Sequence, residues 1–353
     1  MKTPRLGWLT PSFGQLVDVL AALESPVYQQ SYLIDEATWI FPESTSFPFT
    51  NSSFLSGGLR ISNHNSLLRV YNCLIKAGFS SLTSSISDFI PFARDFYFRD
   101  TNPTQITKNL ARQSREIKSQ LEYLGLELKD SKIALIYIRD HIWDQTRVKY
   151  INSSQAVENS FRNSIPSDFV LAVKELIKCG FFVIRIGRST LPFPLSHSQF
   201  FDYATGKLQS DLLDFFFWSR ANLSISTGGG ANQPAFLFRT PLLLLNFSEN
   251  LTVYNNMTNQ DIFILPKHYF DKTGKRVTFS SLVNLGILEK SQRFVSQSLV
   301  ELNITRTGNS PNELLRATQA FLDALGNNEG DWFRFQDLGI VVSNEWLKNH
   351  TRK

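Results

Sequence analysis

Hydrophobic positions in the latter part of the chain alternate between short apolar runs and helical spacing. Ile133–Ile138 and Phe181–Ile186 are apolar runs of strand length, and Asp168–Cys179 between them repeats apolar residues on one helical face. Parallel strands need crossover helices of this kind. The pattern therefore predicts an α/β fold with a doubly wound parallel sheet over residues 125–330.

The most informative segment covers residues 222–245, where a strand, a glycine loop and a second strand follow one another. Gly228–Gly230 predicts a tight loop, Ala231–Phe238 a helix, and Leu242–Leu245 a buried strand. Such a strand-to-helix turn can bind an anion, because unpaired backbone amides and the helix dipole point the same way. A tight turn that needs glycine only for positive φ remains the alternative.

Further helices and one more strand follow from the same pattern. They are a helix over Thr104–Leu124 that ends at Gly125, a helix over Asp211–Trp218, an edge strand at Ile262–Leu265 and an amphipathic helix over Pro311–Leu325. The break before Thr104 divides the chain into an N-terminal α/β domain, residues 1–103, and a C-terminal domain, residues 104–353.

Candidate ligand-binding residues follow the predicted strands, because ligands of a doubly wound sheet lie beyond the carboxyl ends of its strands. These residues are Arg139 and Asp140 after the first strand, Gly187 after the second, and Ser226, Thr227, Gly228, Gly229, Gly230 and Gln233 after the third. The Arg139 guanidinium suits a diphosphate, and pairing with Asp140 or a loop carboxylate is its alternative role.

Two further arginines stand out by their positions. Arg162, followed by Asn163 in a polar loop, is either a phosphate or sugar clamp or a solvated loop charge. Arg185 lies inside an apolar strand, where a charge is costly unless paired. We therefore expect a buried ion pair between Arg185 and an acid such as Asp202.

Composition narrows the classes of function. The net charge of +5 over 353 residues suits an anionic ligand or an acidic membrane surface. The sequence has no clustered basic run of the kind that binds nucleic acid. Two cysteines far apart predict neither a disulfide framework nor a zinc site. The lack of a signal-peptide core and of a bilayer-length apolar run leads us to expect a cytoplasmic protein.

Several common catalytic motifs are missing from the sequence. The five histidines are scattered, and we find no Asp-x-Asp pair, nucleophile elbow, Walker loop or Gly-x-Gly-x-x-Gly fingerprint. Hydride transfer and metal catalysis are therefore disfavoured, and no cofactor is expected.

Many short stretches, spread over most of the chain, resemble a bacterial glycosyltransferase family associated with surface-carbohydrate synthesis. They are Phe13–Leu16, Asn63–Tyr71, Ile136–Asp140, Ser160–Asn163, Val183–Gly187, Phe201–Ala204, Ser210–Asp214, Ser224–Gly230, Ile264–Lys267 and Val277–Ser280. A more distant similarity is to fucosyltransferases, whose nucleotide domain has a His-x-Arg strand end.

The resemblance implies a GT-B-like fold of two Rossmann-like domains, with the nucleotide sugar bound mainly by the C-terminal one. It implies that Arg139 binds the diphosphate, that Thr227–Gly229 contact phosphate through their amides, and that Asp202 and Tyr203 lie near the base or ribose. The sequence departs from the relatives at two histidine positions, which are Gln15 and Tyr137 here.

Together these observations predict a metal-independent glycosyltransferase that uses a nucleotide-sugar donor and a surface-glycan or lipid-linked acceptor. Asp18 and Asp140 are the candidates for the base that activates the acceptor hydroxyl. Peripheral association with the inner face of the membrane stays open. The alternatives are a non-catalytic nucleotide- or glycan-binding protein and a sugar-nucleotide epimerase or hydrolase on the same scaffold.

Overall fold

The structure is a computed structural model in which eleven ranges of the chain are described. They are residues 6–8, 38–40, 60–62, 83–85, 103–128, 130–140, 161–248, 262–285, 298–326, 330–335 and 340–351.

Four short strands in the first hundred residues form a parallel sheet. They are β1 (Leu6–Trp8), β2 (Thr38–Ile40), β3 (Arg60–Ser62) and β4 (Thr83–Ser85), in the spatial order β3-β2-β1-β4. The apolar run Leu6–Leu9 predicts a strand, and β1 coincides with it. The apolar spacing at residues 15–23 and 66–78 predicts helices, and both ranges lie outside the described residues.

Two helices occupy the region where one long helix is predicted. They are α1 (Thr104–Arg112) and α2 (Ser114–Tyr123), and Gln113 between them donates its amide to the Leu110 carbonyl in a tightened turn. The residues around this break are mostly exposed, so no core contact holds a continuous helix there. Gly125, at φ +67°, follows the second helix as predicted.

The C-terminal part contains an eight-stranded sheet in the order β13-β14-β10-β9-β8-β5-β6-β7, of which seven strands run parallel and only β13 is antiparallel. Its strands are β5 (Lys132–Tyr137), β6 (Phe181–Ile186), β7 (Phe200–Asp202), β8 (Ala221–Ser226), β9 (Leu242–Phe247), β10 (Ile262–Pro266), β13 (Trp332–Phe335) and β14 (Ile340–Ser343). A separate antiparallel pair joins β11 (His268–Phe270) to β12 (Thr305–Thr307).

The prediction of an edge strand at residues 262–265 is wrong, since β10 lies inside the sheet between β9 and β14. All five β10 residues are buried, which is what a continuous apolar run indicates when both faces of a strand are covered. The sheet also extends past residue 330, through β13 and β14, farther than the sequence pattern showed. The short edge strand β7 was not predicted either.

Helices cover both faces of this sheet, since consecutive residues of the central strands β5, β8 and β9 are buried. The helices are α3 (Val170–Lys178), α4 (Asp211–Arg220), α5 (Pro234–Leu237), α6 (Phe279–Asn284), α7 (Pro311–Leu325) and α8 (Asn344–Thr351). Helix α3 packs on α7, and α4 packs on α1 and α2. Ser310 begins α7 with a capping box to Glu313. The sequence also suggests Ser167 as the N-cap of α3, but this is wrong, because Ser167 lies inside a 3₁₀ turn ahead of that helix.

Of the helices in the described ranges, none combines the length and the apolar character that crossing a bilayer requires.

Candidate functional site

The ring of Tyr137 occupies the carboxyl end of β5, between the loops that follow β6 and β8. A Cβ atom placed on Gly187 would lie 2.8 Å from two ring carbons, and one on Gly229 would lie 3.4 Å from a third. Both glycines also have positive φ, +97° and +130°. Glycine is therefore required at Gly187 both by space and by backbone conformation, and at Gly229 by backbone conformation.

Thr227 joins the β8 loop to the end of β5. Its amide donates to the Tyr137 carbonyl at 3.0 Å, and its Oγ1 accepts a hydrogen bond from the Arg139 amide at 2.8 Å. Ser226 Oγ accepts from the Gly228 amide at 3.1 Å. The predicted adjacency of the glycine loop and the arginine that ends the first strand is confirmed.

The glycine loop exposes donors that the protein does not itself use. Within the described part of the chain, the amides of Gly229, Gly230 and Ala231 donate no hydrogen bond. Gly229 is buried, while Gly230 and Ala231 are half-buried. Three successive unengaged amides at a strand end can together bind an anion.

The helix predicted over residues 231–238 is much shorter than expected. A 3₁₀ turn covers Gly230–Asn232, and only Pro234–Leu237 form a single α turn. Pro234 starts a new turn because its ring fixes φ and removes a backbone donor. A helix of four residues adds little dipole, so the anion-binding capacity here comes from the loop amides and from nearby cations.

Arg162 lies beside the same loop. Its Nη2 would be 3.5 Å from a Cβ atom at Gly229, and the amide of Ser164 donates to the Arg139 carbonyl at 2.9 Å. Arg139 is buried and Arg162 half-buried. The structure thus brings Arg162 and Arg139 to the glycine loop from separate segments of the chain.

Lys267 and Arg306 hold the segment that carries Arg162. Lys267 Nζ donates to the carbonyls of Phe161 and Asn163, at 2.8 Å each. The Arg306 guanidinium carbon lies 4.2 Å from the centre of the Phe161 ring. Burial, followed by the charge of Arg306, lowers the pKa of Lys267 to about 8.

The sequence analysis missed Lys267, although a signal was present. Lys267 directly follows the apolar strand β10, just as Arg139 lies at the carboxyl end of β5. A cation at the carboxyl end of a buried strand is a candidate ligand-binding residue, and this rule applies to Lys267 as it does to Arg139.

The predicted buried ion pair of Arg185 is confirmed and extends to a second acid. Its Nη1 lies 3.2 Å from an Asp202 carboxylate oxygen, and its Nη2 lies 3.6 Å from Asp140 Oδ2. Ser189 donates a hydrogen bond to Asp140, and the Phe193 amide donates to Asp202 at 2.8 Å. Two carboxylates and these hydrogen bonds offset the desolvation of a fully buried guanidinium.

Tyr203 is fully buried, and its ring packs edge-on against the ring of Phe217. Its hydroxyl donates to the Ser210 carbonyl at 3.1 Å and accepts from the Ser210 amide at 2.7 Å. Burial, and next the charge of Asp214, raise the pKa of Tyr203. Burial also raises the pKa of Asp214 to about 7, against the opposing charge of Arg188.

The remaining candidates differ in their surroundings. Gln233 is buried beside the glycine loop, and its Oε1 has no hydrogen-bond partner among the described residues. Neighbouring Asn232, which the sequence analysis missed, is fully buried. Neither the nitrogen nor the oxygen of its side-chain amide has a hydrogen-bond partner among the described residues. Asn163 contributes its backbone carbonyl to Lys267. Asp18 lies outside the described residues.

A separate cavity among the described residues lies elsewhere, between α7 and α8. Its volume is about 410 Å³, and its lining includes His268, Glu313, Arg316, Glu345 and Trp346. None of these was predicted as a site residue. The chemistry-bearing groups converge at the carboxyl ends of β5, β6 and β8 instead, so we place the candidate site there.

Cationic residues predominate at these strand ends. Arg162 Nη2 lies beside Gly229, the Arg139 amide donates to Thr227, and Lys267 holds the Arg162 segment, whereas the Asp140 carboxylate is engaged by Arg185. No group of three or more His, Cys, Asp or Glu side chains in the described ranges is arranged to hold a metal ion. The described residues form an α/β fold in which several cationic residues and a glycine loop lie at the carboxyl edge of a parallel sheet.

The solved structures that match this chain include the following two. A glycosyl transferase family 9 protein from Veillonella parvula DSM 2008 matches with a TM-score of 0.48 and 12% identity, over 92% of this chain and 99% of that one. The ADP-heptose LPS heptosyltransferase II of E. coli matches with a TM-score of 0.43 and 9% identity, over 91% and 99% of the two chains. No family model matches the sequence, and no curated protein is similar to it.

Proposed function

We propose that this protein is a glycosyltransferase that binds the diphosphate of a nucleotide-sugar donor at the carboxyl ends of β5, β6 and β8. The observation that carries the proposal is the position of Arg162 Nη2 beside Gly229, next to the unengaged loop amides and near Arg139. A guanidinium and several amides converging on one point suit a diphosphate better than a single charge.

The proposed reaction displaces a nucleoside diphosphate from the anomeric carbon of the donor sugar. An acceptor hydroxyl oxygen bonds to that carbon, the bond to the β-phosphate oxygen breaks, and the hydroxyl proton passes to a base. Negative charge then grows on the leaving diphosphate. Arg162 and the Gly229–Ala231 amides would stabilise this charge, because preorganised donors gain most where charge develops.

The base that takes the proton of the acceptor hydroxyl is a further part of the proposal. Asp140 already accepts a hydrogen bond from Ser189 and an ion pair from Arg185. To take a proton from an acceptor hydroxyl at Oδ2, Asp140 would have to give up one of these two contacts. This favours Asp18, in the segment we propose as the acceptor-side domain of a GT-B-like pair.

The wider assignment rests on the resemblance of the short stretches quoted above to surface-carbohydrate glycosyltransferases. With it we propose a surface-glycan or lipid-linked acceptor, catalysis without a metal ion, and action in the cytoplasm at the inner face of the membrane. Arginine and amide donors can supply the charge stabilisation that a metal ion would otherwise provide.

A second candidate function is non-catalytic binding of a nucleotide or glycan. One observation favours it, namely the Tyr137 ring that fills the strand end where the relatives have histidine. A phenol with an ordinary pKa near 10 is a weaker proton acceptor near neutral pH than an imidazole. In this reading the anion site is retained and turnover is lost.

A thermal-shift screen with UDP-, GDP-, CMP- and dTDP-sugars, followed by mass-spectrometric analysis of products, tests both functions. We expect one donor class to stabilise the protein and to be transferred or slowly hydrolysed. Binding without any turnover would support the second function, and failure of every donor to bind would contradict both glycosyl transfer and nucleotide binding.

Two variants tie the result to the site. Arg162→Ala and Arg139→Ala should each weaken donor binding by at least about tenfold, or about 1.4 kcal/mol, if each makes a charged hydrogen bond. Arg115→Ala, on an exposed part of α2, is the matched control and should bind the donor as the wild type does. Donor binding unchanged in both site variants would refute the location.

A further inference from the structure

Lys267 is a buried cation whose contacts are unusual for a lysine. Lys267 is only 7% exposed, and its Nζ donates to two backbone carbonyls rather than to an acid. Within the described ranges no carboxylate lies within ion-pair distance of Nζ. Burying an ammonium group without an acidic partner costs free energy. A role in the site would explain why a lysine occupies this position.

The two carbonyls that Lys267 binds bracket one residue. They belong to Phe161 and Asn163, and the residue between them is Arg162. One ammonium group therefore fixes the backbone on both sides of the arginine whose Nη2 reaches the Gly229 loop.

Arg306 supports the same segment from the other side. Its guanidinium stacks on the Phe161 ring, and its Nη1 donates to the Ser248 carbonyl at 3.1 Å. The Lys267 amide in turn donates to the Phe247 carbonyl at 2.9 Å. The ends of β9 and β10 thus anchor the Arg162 segment, which otherwise has the freedom of a loop.

We propose that Lys267 is a positioning residue, which holds residues 161–163 so that the Arg162 guanidinium is directed at the anion bound by the glycine loop. The proposal rests on the function proposed above. Lys267 acts through Arg162, because its hydrogen bonds go to the backbone on either side of that residue. Preorganisation of this kind raises affinity by removing the cost of ordering the loop on binding.

A double-mutant cycle with inorganic pyrophosphate as the probe tests this role, with affinity measured by isothermal titration calorimetry at pH 7. Lys267→Met should weaken binding by at least about tenfold, and Arg162→Ala by a similar factor. The double variant should bind no more than about twofold more weakly than Arg162→Ala alone, because removing Arg162 removes what Lys267 positions. Independent, multiplying losses would overturn the proposal.

Two controls separate this role from general destabilisation. Lys272→Met removes an exposed lysine nearby in sequence and should leave pyrophosphate affinity unchanged. If Lys267→Met does not fold, Lys267→Gln keeps one amide donor and should fold with an intermediate loss of affinity. Wild-type affinity in a folded Lys267→Gln protein would overturn the positioning role.

The pH dependence of pyrophosphate affinity is a further test, because a lysine with a purely structural role would not change it. The pKa of Lys267 lies near 8 because of burial and the charge of Arg306, the one charged group found to act on it. The advantage of the wild type over Lys267→Met should therefore shrink as pH rises from 7 to about 9.5, since the ammonium loses its charge. An advantage that stays constant over this range would count against the proposal.

The outcomes distinguish this inference from the proposed function. Wild-type protein that binds neither pyrophosphate nor any nucleotide sugar would overturn both. Wild-type binding that depends on Arg162 but is unaffected by Lys267→Met would overturn the positioning role alone.

Discussion

Tyr137 and Gly187 touch so closely that a Cβ atom at the glycine would lie 2.8 Å from two carbons of the tyrosine ring. Tyr137 ends β5, and Gly187 directly follows the neighbouring strand β6, so this contact links two adjacent strand ends. Gly229 flanks the other side of the ring. The phenol therefore fixes the spacing of two loops that we assign to the anion site.

Gly187→Ala should destabilise the protein, because the new methyl group meets the ring and φ is +97°. Gly274→Ala is the matched control, since Gly274 has φ +79° but nothing within 4 Å of its Cβ position. Backbone strain of about 1–3 kcal/mol applies to both variants. The clash should cost Gly187→Ala at least about 1 kcal/mol more.

Urea unfolding of the two variants measures the difference. Equal free energies of unfolding would mean that the ring moves aside without cost. Gly187→Ala should also weaken nucleotide-sugar binding, whereas Gly274→Ala should not, because only Gly187 contacts a residue of the site.

The sequence predicts the parallel sheet well because its strands are continuous apolar runs. Leu242–Leu245 and Phe181–Ile186 can be recognised without tertiary information, since a strand buried on both faces has no polar alternation. The position of β10 in the sheet is different. Strand order depends on which strands pair, and the pairing partner Ile340–Ser343 lies beyond β11, α6, β12, α7 and β13 in the chain.

The sequence identifies candidate residues mainly where they lie within a few positions of a strand end. Arg139 and Gly229 do so, two residues after β5 and three after β8, and the structure brings their segments together. The approach of Arg162 to Gly229 and the grip of Lys267 on the same segment join positions far apart in the chain. Hydrophobic periodicity carries no information about such contacts, so they could not be foreseen.

Asp202→Asn should destabilise the fold by about 3 kcal/mol, because it leaves the fully buried Arg185 with Asp140 as its one acidic partner among the described residues. Asp323→Asn, an exposed acid without an ion pair in the described ranges, should change stability by less than about 0.5 kcal/mol. Chemical denaturation measures both.

The same variant tests the ligand role that the resemblance implies for Asp202. Reduced nucleotide-sugar affinity with unchanged stability would argue for a direct contact with the ligand. Reduced stability, with affinity retained below the unfolding temperature, would argue for the ion-pair role alone.

Asp214 should make the protein less stable as pH rises toward neutrality. Burial raises the pKa of its carboxyl to about 7, so between about pH 4 and 7 the folded state holds a proton that the unfolded state has lost. The free energy of unfolding contributed by this group therefore falls over that window. Asp214→Asn should remove this slope and be more stable than the wild type at pH 8 by more than about 1 kcal/mol.

Thermal unfolding of the wild type and Asp214→Asn at pH 4, 6 and 8 gives the comparison. Parallel pH profiles would show that the carboxyl ionises in the folded protein as it does in the unfolded chain.

Glu313 should make the protein more stable as pH rises from acidic values, which is the opposite of the effect of Asp214. A hydrogen bond from His268 at 2.9 Å, together with bonds from Ser310, lowers the pKa of Glu313 to about 2 despite partial burial. The stability from this carboxylate is therefore fully present above about pH 4.5 and is lost as pH falls toward 2. Glu313→Gln also removes the carboxylate of the capping box, and we expect a loss of about 1–2 kcal/mol at pH 6. The wild-type carboxylate is itself neutralised in acid, so the two proteins should have similar free energies of unfolding near pH 2. A difference in stability that persisted at pH 2 would mean that side-chain shape rather than charge is responsible.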